Sequence, residues 1–368
     1  MNSLSSKIKR AIKTGQLELW QRYSENKRKN PRLTYLFWES TLRCNLTCRH
    51  CGSSCGNRAV TGELKTKEIK QALEEISKDF PAKKIMLAIT GGESLLRKDI
   101  FEVIEFADKL GFNCGMVTNG LLLTVETVKK LKNSGIKSIS ISLDGLRENH
   151  EFIRGKDTFG KTLEGIRNMI EEQFTMSEII TCVYQRNVQE LNQIYRLVKK
   201  LGVKSWRLFA ISPIGRAKNQ KDLFLSPEQF KYFLDFIKEK RKKDKNLKIS
   251  FMEQGFLGID YENEVRGGFF FCLAGINVGS ILYDGSISAC PSLPREFIQG
   301  NIRKDKFKNV WDNKFKEFRQ IDWKKQGICH ECEQWDYCHG NGMHLWDFGK
   351  SEPSICEYRL LCQVGDYC

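Results

Sequence analysis

The stretch LTYLFWESTLRCNLTCRHC, residues 33–51, joins an apolar run to three closely spaced cysteines. Its first six residues predict a buried strand, and Cys44, Cys48 and Cys51 follow with the spacing Cys-x3-Cys-x2-Cys. Three thiolates cannot complete a tetrahedral zinc site, but they can hold three irons of a four-iron cluster. The fourth iron is then open to a ligand that is not protein. This stretch therefore predicts an enzyme, with a zinc knuckle that borrows Cys55 as the alternative.

Apolar runs alternate with helical stretches from about Leu33 to Phe251. Strands are predicted at residues 33–38, 84–89, 112–118, 136–143, 179–184, 205–210 and 247–251. Helices are predicted at residues 66–79, 98–110, 125–134, 159–172, 188–201 and 227–242. Buried strands that alternate with helices form a parallel sheet with right-handed crossovers. The pattern predicts an α/β fold with a complete or partial parallel barrel, whose active site would lie at the C-terminal ends of the strands.

The composition limits the classes of function. Hydrophobic residues make up 40% of the 368 residues, and Lys+Arg 60 against Asp+Glu 45 gives a net charge of +15. Because the charge is scattered, with no stripe of interleaved basic and aromatic residues, we expect a lysine-rich solvated surface and no nucleic-acid partner. The sequence has no apolar run of about 18 residues, so it predicts no transmembrane helix.

The first 32 residues are a basic extension. Residues 1–30 lack the apolar core of a secretory signal, so we expect a cytoplasmic protein with reduced cysteines. Ile8, Ala11, Ile12, Leu19 and Trp20 suggest an amphipathic helix. Such a helix can lie on a membrane surface, but packing on the body of the protein is the favoured interpretation.

The pattern changes beyond Gln254. Strands shorten, residues 281–287 predict a hairpin with an Asp-Gly turn, and residues 310–318 predict one short helix. Eight of the fourteen cysteines lie in this segment, where metal clusters would compensate for a small core. We expect three regions: a basic extension at 1–32, the barrel at 33–253 and a loop-rich cluster-binding domain at 254–368.

Short polar motifs follow three further predicted strands. They are Thr90-Gly91-Gly92-Glu93, Val117-Thr118-Asn119-Gly120 and Ser142-Leu143-Asp144-Gly145. Glycine lets a backbone approach a ligand closely, and Glu93 offers an acceptor for an ammonium group. Arg154 follows the third motif, where it would pair with a ligand carboxylate or form a surface salt bridge. Each motif alone is common, so the information lies in their combination.

The cysteine triplet, the Gly-Gly-Glu and the Ser-Leu-Asp-Gly together resemble the motifs of the radical S-adenosylmethionine (SAM) enzymes, over residues 33–251. The resemblance implies a partial (β/α)6 barrel. It also implies a cluster on Cys44, Cys48 and Cys51 whose open iron chelates the amino and carboxylate groups of SAM. Reductive cleavage of SAM would give a 5′-deoxyadenosyl radical that abstracts a substrate hydrogen. The implied SAM contacts are Gly91, Gly92 and Glu93 at the methionine amino end, and Asn119, Ser142, Asp144 and Arg154 near the ribose and carboxylate.

Two residues near these motifs bear on the resemblance. His50 stands where the family often has an aromatic residue before the third cysteine. Ser94 stands where the family usually has proline, which should alter the stiffness of the turn more than the chemistry.

The C-terminal cysteines resemble the SPASM extension of the same superfamily, which holds auxiliary iron–sulfur clusters. Cys272-x12-Gly285-x4-Cys290 matches its opening, Cys329-x2-Cys332-x5-Cys338 its middle, and Cys356 its later single cysteine. The two-cluster pattern of that family has a further cysteine where this chain has Gly342. The resemblance therefore implies one or two auxiliary clusters.

Several sets of ligands remain open. One cluster on Cys329, Cys332, Cys338 and Cys356 would leave Cys272 and Cys290 for a second, which would then need Cys362, Cys368, His339 or a substrate as a further ligand. Another partition places Cys272, Cys290, Cys329 and Cys332 around a single cluster. The alternative without iron is a zinc site on the first set of four. Cys114 and Cys182 are expected to be packing cysteines, with a thiol hydrogen donor as the alternative.

The resemblance also bears on substrate and partners. Members of the superfamily with this extension mostly modify ribosomally made peptides or proteins, which implies a peptide or small-protein substrate and an electron donor such as flavodoxin or ferredoxin. Residues 269–277 and 338–346 resemble a subgroup encoded beside small lipoprotein-like partners. The first alternative is a radical SAM oxidoreductase that acts on a small molecule. The second is a metal-stabilised binding module without enzymatic activity, which would not cleave SAM.

Overall fold

A computed structural model describes residues 2–58, 60–252 and 255–365, with side chains from residue 11 onward. The predicted boundary residue Gln254 and the candidate ligand Cys368 lie outside the described residues.

Seven parallel strands form the main part of a sheet in which they stand in chain order. They are β1 (Tyr35–Glu39), β2 (Met86–Thr90), β3 (Asn113–Thr118), β4 (Ile136–Ser142), β5 (Met176–Val183), β6 (Ser205–Ala210) and β7 (Lys248–Phe251). Each pairs in parallel with the next. This confirms the predicted α/β fold with a partial barrel. The strand predicted at 205–210 has the same bounds in the structure.

One helix precedes the first strand, and at least one α-helix follows each of β1 to β6. They are α1 (Asn2–Lys29), α2 (Thr66–Asp79), α3 (Ile100–Lys109), α4 (Val125–Asn133), α5 (Arg147–Arg154), α6 (Phe159–Glu171), α7 (Leu191–Lys200) and α8 (Pro227–Lys243). The helix predicted at 66–79 has the bounds of α2. The helix predicted at 188–201 begins as a turn of 3-10 helix and continues as α7. Helix α5 does not correspond to any predicted helix.

Local sequence explains where α8 begins and how it packs. The Ser226 hydroxyl accepts a hydrogen bond from the Gln229 backbone N–H (3.2 Å), and the Gln229 side chain accepts one from the Ser226 N–H (3.0 Å). Pro227 suits the first turn of the helix, because a backbone N–H at that position would have no acceptor within the helix and proline lacks this N–H. The ring of Phe233 then packs edge-on against Phe251 of β7, with centroids 5.7 Å apart. This contact presses α8 onto the edge of the barrel.

The inner face of the sheet carries a polar layer. Trp206 on β6 packs edge-on against Phe236 of α8, so its neighbour Arg207 faces the barrel interior. There Arg207 pairs with Glu178 of β5 at 2.5 Å. Glu178 also accepts a hydrogen bond of 3.0 Å from Ser140 of β4. This layer ties three strands together beneath the C-terminal ends of the barrel.

The C-terminal segment extends the same sheet. Strand β8 (Val278–Ile281) lies parallel to β1 on the side away from β2. Strands β9 (Ser286–Ser288) and β10 (Gly300–Asn301) continue the sheet in antiparallel order. The remaining elements are α9 (Phe307–Asn313), α10 (Lys316–Arg319), α11 (Trp335–Cys338), α12 (Glu357–Cys362) and the small pair β11 (Trp346–Asp347) and β12 (Glu352–Pro353). Strands β8 and β9 form the hairpin predicted around the Asp-Gly turn.

The single helix predicted at 310–318 is wrong. The structure has α9 and α10 with a break at Phe315, which is fully buried. Its ring packs edge-on against both Trp311 and Phe318, with centroids 5.6 and 5.5 Å away. Burying three aromatic rings together therefore outweighs the continuity of a short helix.

Helix α1 packs on the C-terminal segment, as the favoured interpretation predicts. Leu17 is 2% exposed and lies in a cluster with Phe256 and Phe270. The indole N–H of Trp20 donates to the carbonyl oxygen of Phe270 at 3.3 Å. Within the described residues, none of the helices combines the length and the apolar character that crossing a membrane requires.

We predict that Leu17→Ala destabilises the protein by about 2–4 kcal/mol, because it removes buried methyl groups and leaves a cavity. For a chain of this length, that loss lowers Tm by about 3–5 °C. Thermal unfolding of the anaerobic protein measures the change. Leu19→Ala is the control, because Leu19 is 67% exposed and its loss should leave Tm unchanged. Equal effects of the two substitutions would contradict the docked position of α1.

Candidate active site

The three cysteines of the first motif lie in the loop after β1, close enough to one another to interact. Burial raises the pKa of Cys44 to about 11, and the nearby groups of Glu93, Cys48 and Cys51 add to the increase. None of the three is in a disulfide bond. Cys44 is buried, Cys48 and Cys51 are partly buried, and three thiols gathered in one loop are a donor set that fits three irons of a cluster.

The loop after β6 holds the cysteine loop in place. The guanidinium of Arg216 donates to the carbonyl oxygens of Cys48 (2.8 Å) and Cys55 (2.6 Å). Gly215 has φ +55°, and a Cβ there would lie 2.4 Å from the carbonyl oxygen of Cys51. Only glycine permits this approach, so the two loops close against each other.

Gly91 and Gly92 are required by the same cysteine loop. A Cβ at Gly91 would lie 2.3 Å from the Thr41 carbonyl oxygen, and one at Gly92 would lie 2.1 Å from that of Arg43. The backbone N–H of Gly92 donates to the Thr41 oxygen at 2.7 Å. The two glycines therefore allow the end of β2 to bond directly to the loop that carries Cys44.

Glu93 is fully buried and bonded to protein donors. One carboxylate oxygen accepts from the Thr118 hydroxyl (2.8 Å) and the Asn119 N–H (3.0 Å), and the other accepts from the Leu95 N–H (3.2 Å). Burial raises the pKa of Glu93 despite these bonds. Glu93 thus joins the ends of β2 and β3, a structural role that the sequence does not predict.

Asn119 lies against the first cysteine. Its side-chain amide donates to the Asn45 side-chain oxygen at 2.7 Å and lies 3.9 Å from Cys44 Sγ. Its own side-chain oxygen accepts from the Leu121 N–H at 3.0 Å. The motif after β3 therefore reaches the cysteine loop, as expected from parallel strands that end at the same edge.

Asp144 is the centre of a buried charged network. It is 0% exposed, and Arg154 Nε donates to its Oδ2 at 2.6 Å. His50 Nε2 lies 3.3 Å from the same oxygen, and the Cys182 N–H donates to Oδ1 at 2.7 Å. Burial alone would raise the pKa of Asp144, but Arg154 and His50 hold it below its ordinary value. Ser142 lies at the end of β4, two residues before Asp144, and is 9% exposed.

This network reaches the second cysteine. Arg154 Nη1 lies 4.0 Å from Cys48 Sγ. Burial lowers the pKa of His50 to about 4, so its imidazole is neutral at pH 7. The surface salt bridge considered for Arg154 is wrong, because the pair with Asp144 is buried. The structure thus gathers the candidate SAM-binding residues at one end of the barrel, beside the cysteine loop.

A cavity of about 380 Å³ lies over the same end of the barrel. The barrel side contributes His50, Cys182 and Arg207, and the C-terminal segment contributes Cys272 and His344. Most of the remaining lining is apolar: Phe37, Ile180, Phe209, Ile211, Ile214, Met252, Phe270, Leu273, Val278, Leu293 and Met343. The cavity is therefore bordered by Cys272 and Cys290 on one side and by His50 and Gly52, the chain neighbours of Cys51, on the other.

Sequence reasoning did not predict two of these lining residues. Arg207 is a charged residue inside the apolar run of β6. A charge in a buried strand is unusual, so it could have marked Arg207 as a candidate site residue. His344 lies in a loop-rich segment and had no such signal.

Cys114 is fully buried in the core, as expected of a packing cysteine. Cys182 instead lines the cavity, and burial raises its pKa so that it stays a thiol.

The C-terminal cysteines fall into two groups. Cys329, Cys332, Cys338 and Cys356 line one small cavity. Cys272 and Cys290 line the large cavity together with Gly342. His339 bonds to Arg28 at 3.1 Å, and Cys362 is disulfide-bonded. This placement favours the first four cysteines as the ligands of one cluster. Cys272 and Cys290 are left in the wall of the larger cavity.

Comparison with known proteins identifies both halves of the chain. The model of the radical SAM superfamily matches residues 38–198, and that of the SPASM iron–sulfur cluster-binding domain matches residues 272–333. An AdoMet-dependent heme synthase of Methanosarcina barkeri is 32% identical in an alignment of 354 positions that covers 89% of this chain and 97% of the relative. The mycofactocin maturase MftC of Mycolicibacterium smegmatis is 32% identical over 315 residues, 84% and 77% of the two chains.

A solved structure shares the fold. Native anSMEcpe with bound AdoMet superposes with a TM-score of 0.70 at 21% identity, over 90% of this chain and 94% of that one. The zinc knuckle and the non-enzymatic binding module are therefore wrong. The chain belongs to the radical SAM superfamily, and it is an enzyme with a [4Fe–4S] cluster and SAM as cofactors and a SPASM domain for auxiliary iron–sulfur clusters.

Proposed function

We propose that this enzyme modifies a peptide, one side chain of which enters the cavity over the barrel. The observation that carries the proposal is that a single cavity borders His50 and Cys182 on the barrel side and Cys272 and Cys290 on the C-terminal side. A group held there lies against Cys272 and Cys290, and also against His50, which directly precedes Cys51 in the chain. The relative MftC is a maturase, which supports a substrate that is itself a gene product.

We assign the SAM-binding cluster to Cys44, Cys48 and Cys51. When bound, the cluster and SAM supply the 5′-deoxyadenosyl radical that abstracts a hydrogen atom from the substrate. The chain orients these groups through the bonded network around Asp144 and through Asn119. Neutral His50 adds no charge to the wall of the cavity, and the apolar lining excludes water that would quench a radical.

The cavity also indicates the chemistry of the substrate group. Arg207 pairs with Glu178, but its buried Nε lacks a hydrogen-bond partner in a lining that is otherwise mainly apolar. An apolar group with a nearby acceptor oxygen would fit this arrangement. A volume of about 380 Å³ lies at the lower end of the range for ligand cavities, which suits one or two amino-acid side chains.

A small molecule is the second candidate substrate. The heme synthase of M. barkeri covers this chain more completely than MftC does, and heme is a tetrapyrrole. A tetrapyrrole would require the cavity to open further, whereas a side chain would not. We further propose a cytoplasmic location, a flavodoxin- or ferredoxin-type electron donor and a lipoprotein-like peptide partner.

The assignment of the first cluster predicts that replacing Cys44, Cys48 and Cys51 together by alanine removes about four irons per chain and abolishes 5′-deoxyadenosine formation. Iron and sulfide counting on anaerobically purified protein, followed by a dithionite–SAM assay, measures both. Cys114→Ala is the control, because that thiol is buried in the core away from the site. A triple variant that still forms 5′-deoxyadenosine would refute the assignment.

The substrate class predicts which compound stimulates SAM cleavage. We expect peptides encoded by short reading frames beside the gene to raise the 5′-deoxyadenosine yield at least tenfold, with hydrogen transferred from a deuterated side chain. Iron coproporphyrin III serves as the tetrapyrrole probe. Stimulation by the tetrapyrrole alone would establish the small-molecule alternative and exclude the peptide proposal.

The grouping of the C-terminal cysteines predicts the effect of Gly342→Cys. This residue has φ −65°, which any amino acid adopts, and it lines the cavity with Cys272 and Cys290. A thiol there would add a ligand for a second auxiliary cluster and raise the iron content by up to about four per chain. Gly349→Cys, at an exposed position, is the control. An unchanged iron content would show that a cysteine at position 342 does not complete a second auxiliary cluster.

A further inference from the structure

Lys324 is a buried lysine in the middle of the C-terminal segment. It is 2% exposed, and its ammonium donates to the Asn341 carbonyl oxygen at 2.7 Å. The same ammonium lies 5.2 Å from the ring centroid of Trp346. Its methylene chain packs under Gly340, where a Cβ would lie 2.9 Å from Lys324 Cε. The side chain is therefore held in one position.

A buried ammonium is costly unless a negative group compensates it. Burial lowers the pKa of Lys324 to about 8, and the groups that oppose this shift are the sulfurs of Cys272, Cys338 and Cys329. Arg28 is a second cation nearby, and its charge also lowers the pKa of Lys324. The compensating groups are thus thiols and not carboxylates. Neutral thiols offer little compensation, whereas an iron–sulfur cluster bound to thiolates is an anion.

One residue links Lys324 to a candidate cluster ligand. Asn341 is 1% exposed, its carbonyl oxygen accepts from Lys324, and its backbone N–H donates to Cys338 Sγ at 3.2 Å. Cys338 lies in the small cavity with Cys329, whereas Cys272 faces the large cavity. The ammonium is therefore separated from the proposed cluster ligand Cys338 by a single residue, Asn341.

We propose that Lys324 is the buried counter-charge of the auxiliary iron–sulfur site and raises its reduction potential. Reduction adds one electron, and so one negative charge, to the cluster. A fixed cation nearby favours the reduced state, and the low dielectric of the interior strengthens the effect. The inference depends on the proposed ligands Cys329, Cys332, Cys338 and Cys356.

The test is a redox titration of the reconstituted holoenzyme, monitored by electron paramagnetic resonance, in which the signal that changes on adding SAM is set aside. Lys324→Met should lower the auxiliary midpoint potential by at least about 59 mV, a tenfold change in a one-electron equilibrium. Lys324→Arg should keep the wild-type potential. Lys325→Met is the matched control, since Lys325 is exposed and its loss removes the same charge.

The outcomes separate three explanations. A Lys324→Met protein with full iron content and an unchanged potential overturns the proposal. If Lys324→Met loses iron, Lys324→Gln is measured as well: loss of iron in both, with retention in Lys324→Arg, supports the counter-charge. Loss in all three overturns it, because packing then explains the effect. Cys338→Ala with wild-type iron content would refute the ligand assignment instead.

Discussion

The close contact between the end of β2 and the cysteine loop is the constraint on which the rest of the site depends. Gly91 and Gly92 leave no room for a side chain, so backbone bonds the loop directly to the sheet. Glu93 then ties β2 to β3. Because the cysteine loop is fixed on the sheet, it lies within contact distance of two other groups. They are the network around Asp144 and the loop after β6, which contains Arg216. The position of the cysteines thus follows from the sheet and not from the loop itself.

Periodicity alone predicted most of the barrel, because buried strands and amphipathic helices leave strong patterns in sequence. The strand at Ser205–Ala210 and the helix at Thr66–Asp79 have the predicted bounds. Helix α5 was missed because Arg147–Arg154 is polar and follows a turn motif, so its few buried residues do not form an apolar stripe. The break at Phe315 was missed because it results from aromatic packing with residues on both sides.

The sequence predicted those parts of the candidate site that belong to a motif. It did not predict the parts that depend on contacts between residues far apart in the chain. The cysteine triplet and the Gly-Gly-Glu were visible as spacings. The bonds of Glu93 to Thr118 and Asn119, and the place of Cys182 in the cavity, depend on how neighbouring strands align. His344 and Lys324 come from a segment with few regular elements, where sequence does not indicate which side chains turn inward.

The pairing of β8 with β1 has a consequence for how the protein is made. Strand β1 is complete early in synthesis, but Tyr35 pairs with Val278, which leaves the ribosome much later. Until then one edge of β1 exposes unpaired backbone groups, the kind of edge that invites misassembly with other chains. The sheet therefore reaches its full width only after the C-terminal segment has emerged, and a nascent chain that stalls before that point keeps an open edge.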